Sequence, residues 1–150
     1  MNKQEVLEYC NKWFSPNYIN WQGDVMVSHL PGFLEEEDDK IWNKLNDLDS
    51  DSIEYDRAAD LATEQSNDLI KQVELNIRLL GAFELVERKG GDEYGSSRTH
   101  ITIYLQEYDM FIKATGFEYS YGSSNWSDWY EAKRVEVVKY EYLPMNKDHE

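Results

Sequence analysis

The stretch NIRLLGAFELVERK, residues 76–89, carries the change of period on which the fold turns. Before Gly81, the residues Ala58, Leu61, Ala62, Leu69, Val73, Ile77 and Leu80 recur at the spacing of a helix with one apolar face. A glycine directly behind such a run is a natural C-cap, because it takes the left-handed backbone at no steric cost. Beyond it, Phe83 and Leu85 alternate with Glu84 as in a half-buried strand, which we place at residues 83–89. The chain is thus expected to be helical before Gly81 and sheet-forming after it.

Upstream, residues 33–80 contain neither proline nor glycine, which is unusual outside helices. Phe33, Leu34, Ile41, Trp42, Leu45 and Leu48 mark one helix, and the stretch DLDSDS at residues 47–52 breaks it. Asp51, with Glu54 three residues on, is the expected cap of the long helix that follows. A shorter helix over residues 3–14 carries Val6, Leu7, Cys10, Trp13 and Phe14, and Ser15-Pro16 closes it. Residues 17–32 read as extended chain or a short strand ending in the turn Leu30-Pro31-Gly32. Downstream, Ile101, Ile103 and Leu105 alternate with polar residues, and residues 110–121 and 129–142 give two further strands. The expected fold class is α+β in one domain: helices over 1–81, packed on an antiparallel meander of about four strands over 82–143, then a tail over 144–150. The sequence YGSS occurs at Tyr94–Ser97 and again at Tyr121–Ser124, two turns that such a meander brings to the same end of the sheet.

At 150 residues, with 41 % hydrophobic and 14 % aromatic residues, the chain can fill a core despite a net charge of −15. The opening residues MNKQE show no apolar run behind a basic cluster, and no stretch approaches the ~18 apolar residues of a spanning helix. Cys10 is the only cysteine, which suits a reducing compartment. A cytoplasmic, soluble protein is expected. Its charge is uneven: residues 32–68 hold thirteen acids and three bases, net −10, against −1 before and −4 after. That field repels nucleic acid and anionic membranes and attracts basic surfaces.

Motifs for chemistry are weak. Asp47, Asp49 and Asp51 stand at the first three ligand positions of an EF-hand loop, but Ser52 occupies the glycine position and Ala58 the glutamate position. The tripeptide His100-Ile101-Thr102 matches half of a two-histidine phosphoesterase and lacks the other half. One cysteine and no histidine pair at helical spacing argue against zinc, and Lys89-Gly90-Gly91 has no phosphate-loop context. No catalytic residue, metal or cofactor is expected.

Two features remain as candidate partner-binding surfaces. Glu35, Glu36, Glu37, Asp38 and Asp39, followed by Asp47, Asp49 and Asp51, form the acidic run. Trp126, Trp129 and Tyr130 lie in or beside a polar loop, and such rings bury much area with few rotors. Carboxylates on a rigid helix pair repeat on a scale similar to phosphates along nucleic acid. In size, charge and lack of catalytic motif the chain resembles the small acidic inhibitors that phages use against restriction or CRISPR machinery. That resemblance implies a non-enzymatic, DNA-mimic-like anti-defence protein of the host cytoplasm, with a basic nucleic-acid-binding protein or nuclease as partner. The alternatives are an immunity or antitoxin protein for a nuclease toxin, a small phosphodiesterase-like hydrolase using His100, and a structural or assembly protein.

Overall fold

The computed structural model describes residues 1–90, 96–119 and 124–145. Helix α1, Lys3–Trp13, starts at a reciprocal cap: the Asn2 side chain accepts from the Glu5 N–H at 2.9 Å, and the Glu5 carboxylate accepts from the Asn2 N–H at 3.2 Å. It buries Val6, Cys10 and Trp13 at helical spacing, and a short 3-10 turn, Pro16–Tyr18, follows. Helix α2, Gly32–Asn43, and the long helix α3, Ile53–Arg78, are joined by turns. Ser52, not Asp51, caps α3, its hydroxyl accepting from the Tyr55 N–H at 3.1 Å. Asp51 is displaced from that role because its own N–H is held by the Asp49 carboxylate at 3.1 Å, in the turn before the helix. At the far end α3 stops at Arg78, and Gly81 follows with a φ of 83°, its N–H donating to the Arg78 carbonyl at 3.0 Å.

After Gly81 come β1, Phe83–Lys89, β2, Ser96–Leu105, and β3, Met110–Tyr119, paired antiparallel in that order. The expected α+β fold is therefore the observed one. Two short strands, β4 at Ser124–Trp126 and β5 at Tyr130–Ala132, both pair with β3. Gly116 is needed there: a Cβ at that position would run into the Asn125 carbonyl of β4. One face of the sheet carries Leu85, Ile101, Ile103, Leu105, Met110, Ile112 and Ala114 into the core, where they meet Val6, Cys10 and Phe14 from the α1 region and Val73, Ile77 and Leu80 from the end of α3. Among the described residues no helix covers the opposite face, which presents Tyr104, Phe111, Lys113 and Phe117 by strand alternation.

The expected strand over residues 129–142 is corrected in both extent and continuity. Phe111 pairs with Ala132, so one step further along β5 would meet Met110, where β3 begins; β3 has no further backbone to offer. Residues 133–145 therefore carry strand-like alternation without a strand to pair with, and they have no regular structure. The break between β4 and β5 has its own cause. Ser127 stays on β3 through its N–H to the Thr115 carbonyl at 2.7 Å, while Trp129 turns inward. The Trp129 indole N–H donates to the Phe14 carbonyl at the end of α1, its ring lies 6.0 Å from that of Phe14, and its backbone N–H donates to the Asn11 side chain at 2.6 Å.

Two stability predictions follow from this geometry. Gly81→Ala puts a Cβ on a left-handed residue and against the flexible end of Glu107, so it should destabilise by about 1–2 kcal/mol in urea unfolding. Trp129→Ala should cost roughly 3–5 kcal/mol, well above Trp126→Ala, since Trp129 is 3 % exposed and Trp126 is only half-buried. An unfolding midpoint unmoved by Trp129→Ala would remove this residue from the core.

Candidate functional site

The acidic segment folds as an antiparallel hairpin of α2 and α3. Leu34 joins the main core, whereas Leu45 and Ala62 are buried outside it, so the far part of the hairpin is held mainly by its own contacts. Asp38 contributes to that contact: it accepts a hydrogen bond from Ser66 of α3 at 2.6 Å. The five consecutive acids consequently do not share one face. At ~100° per residue they wrap the helix. Asp38 turns to α3, Glu36 pairs with Lys40 at 3.5 Å, and Glu35, Glu37 and Asp39 are exposed. Asp47, Asp49 and Asp51 form the exposed tip, where Asp49 holds both the Asp51 N–H and, through its carbonyl, the Ser52 hydroxyl. Among the described residues, no three His, Cys, Asp or Glu side chains converge on a metal-sized site.

Helix α3 carries a second acidic row. Asp56, Asp60, Glu64 and Asp68 recur every fourth residue, and all four are exposed. Such spacing places successive carboxylates ~5–6 Å apart on nearly one face, and the whole row spans ~18 Å. The signal was in plain sequence as an i, i+4 repeat, masked by the denser run at residues 35–39. Among the described residues, Lys40–Glu36 is the one ion pair within the hairpin, so these carboxylates meet solvent without a cation.

The aromatic candidates are separated by the structure. Trp129 is a core residue, and its burial leaves no ring to offer a partner. Trp126 packs against the core and donates its indole N–H to Asn17 at 2.8 Å, which ties β4 to the 3-10 turn. Tyr130 remains 43 % exposed on the open sheet face, opposite Lys113 of β3. Of the two YGSS turns, Tyr94, Gly95 and residues 121–123 lie outside the described residues.

His100 lies on the open sheet face and contacts the Glu87 carboxylate at 2.7 Å. That hydrogen bond, with Lys89 at 3.3 Å, holds Glu87 below the usual carboxylate range. His29 instead lies tilted against the buried Tyr18, ring centres 5.0 Å apart, on the helix side of the sheet, so His29 and His100 make no acid–base pair. Burial pushes the Cys10 thiol up to about 12, far from a reactive thiolate. Among the described residues, no helix is long and apolar enough to cross a membrane. Comparison with protein-family models, with characterised proteins and with solved structures gives no match for this chain.

Proposed function

We propose that this chain is a non-enzymatic binding protein that occupies the nucleic-acid-binding surface of a basic protein or nuclease, an inhibitor of the DNA-mimic type. The observation that supports it is the linear density of carboxylates on the α2–α3 hairpin. Thirteen acids fall within residues 32–68. Ten of these stand on the paired helices, Glu35–Asp39 on α2 and Glu54, Asp56, Asp60, Glu64 and Asp68 on α3, along the ~27 Å from Ile53 to Ile70, which gives one carboxylate per ~2.7 Å of axis, beside one phosphate per ~1.7 Å of duplex DNA. Lys40 and Arg57 on the same helices lower the net density to one charge per ~3.4 Å. A solvated helix face ordinarily mixes signs, and like charges at i, i+4 cost ~0.2–0.5 kcal/mol per pair. The row from Asp56 to Asp68 accepts that cost three times over.

Steering is the mechanism by which such a surface acts. Opposite fields accelerate encounter and fall off with salt, so inhibition by occupancy is sensitive to ionic strength and to competing nucleic acid. The test uses the protein immobilised and challenged with the heparin-binding fraction of a cell lysate. Retained proteins should elute with rising salt and be displaced by duplex DNA. Replacing Asp56, Asp60 and Asp68 with Asn and Glu64 with Gln should keep the helix content, raise the melting temperature slightly, slow association and flatten its salt dependence. Retention that is indifferent to salt, to DNA and to these four substitutions would leave the hairpin a solvated face and defeat the proposal.

A further inference from the structure

The open face of the sheet carries a second feature, independent of the acidic hairpin. The segment after β5 turns back across this face toward β1 and leaves a cleft of about 450 Å³ beneath it. Val86, Phe111, Val135 and Val137 supply its apolar lining. Val86 faces it by alternation from the inward Leu85, and the irregular register between Leu85 and Glu87 brings Glu87 to the same face, opposite Thr102. Val135 and Val137 are 66 % and 69 % exposed, so the lining is incompletely covered by the chain itself. Such a volume lies within the ~300–1,000 Å³ of small-molecule sites and is too small to seat a folded partner.

Charge selects the ligand. Lys113, Lys133 and Arg134 line the same cleft. Among the described residues none of the three has an ion pair: Lys113 and Lys133 have no polar partner at all, and Arg134 lies 5.2 Å over the Phe111 ring. Glu87 lines the cleft beside them, and the carboxylates nearby have other partners. Glu87 holds His100 and Lys89, Asp109 accepts from the Tyr104 hydroxyl at 2.6 Å, Glu84 accepts from Gln106 at 3.3 Å, and Glu131 pairs with Lys3 at 3.0 Å. Glu136, between the two lining valines, does not line the cleft. Three cations without an ion pair beside an apolar floor suit a ligand that joins an anionic group to a hydrocarbon. We propose that this cleft binds a single-chain amphipathic anion of the fatty-acid class, its carboxylate held by Lys113, Lys133 and Arg134 and its hydrocarbon lying against Val86, Phe111, Val135 and Val137. A free, monomeric ligand is meant, because the net charge of the whole protein opposes approach to an anionic membrane.

The probe is dodecanoate below its micellar concentration, followed by calorimetry and by methyl resonances of the valines. Dodecanoate should bind with one-site stoichiometry and shift Val86, Val135 and Val137 ahead of other methyl groups. Octanoate should bind at least about tenfold more weakly, since each buried methylene adds affinity. The variant K113Q/K133Q/R134Q should weaken dodecanoate about tenfold or more while leaving the melting temperature within a few degrees, because these side chains are exposed or half-buried. Val135→Gln tests the apolar half separately, on a residue outside the core, and should also weaken binding. Four outcomes would overturn the assignment: no binding at millimolar dodecanoate, equal binding of dodecyltrimethylammonium, affinity unchanged in the triple variant, or capture by anionic phospholipid vesicles in place of the monomer.

Discussion

The whole arrangement depends on one clasp between the end of α1 and residue 129. A helix end leaves carbonyls without partners, and here the Phe14 carbonyl takes the indole N–H of Trp129. Asn11, one turn earlier, closes the clasp from both sides: its carbonyl oxygen accepts from the Trp129 N–H, and its amide donates to the Trp129 carbonyl at 3.2 Å. Three polar backbone groups, the Phe14 carbonyl and the Trp129 N–H and carbonyl, are thereby satisfied together with a large buried ring, and the first element of the chain is fastened to one of its last. The cost falls on the sheet. To bring Trp129 inward, the edge beside β3 has to divide into β4 and β5, and β5 is then so placed that it meets the end of β3 after Ala132.

That geometrical consequence shapes the far side of the molecule. A fourth strand of full length would cover the edge of β3 and carry residues 133–142 off in the sheet plane. Instead the chain leaves the ladder early and crosses the uncovered face, taking Lys133, Arg134, Val135 and Val137 over Phe111 and Val86. A strand-like sequence without a strand partner leaves apolar side chains such as Val135 and Val137 exposed. The clasp thus both completes the core and creates the cleft.

Much of the architecture was legible because the hydrophobic period is a local property. The helical spacing before Gly81 and the alternation after it needed no tertiary information, and the observed helices and first three strands follow them. The last strand was not legible, because alternation that sets Val135 and Val137 opposite Val138 and Tyr140 says only that a segment suits a strand; whether a neighbour has backbone left to pair with is set by register. Trp129 failed for a related reason: its polar neighbours Ser127 and Asp128 signal a surface loop, whereas its ring is claimed by a helix 115 residues away. The cap of α3 slipped by one residue because Asp49 had already taken the Asp51 N–H. In the acidic run, composition drew the eye to residues 35–39, while helical phase scatters those side chains and lines up Asp56, Asp60, Glu64 and Asp68.

The distribution of charge follows from how the core is divided. The clasp, α1, the end of α3 and one sheet face supply nearly all of the buried cluster, and the distal hairpin adds only Leu45 and Ala62 outside it. Repulsion among carboxylates is most damaging where it opposes close packing and least where both helices are open to water and salt. A hairpin standing largely apart from the core can therefore carry a net charge of −10 without unsettling the sheet. The cations of the cleft lie on the sheet's outer face, and the core separates them from the helices. Separation of the two signs onto two faces lets each keep its own chemistry: one surface attractive to cations, the other to a small anion.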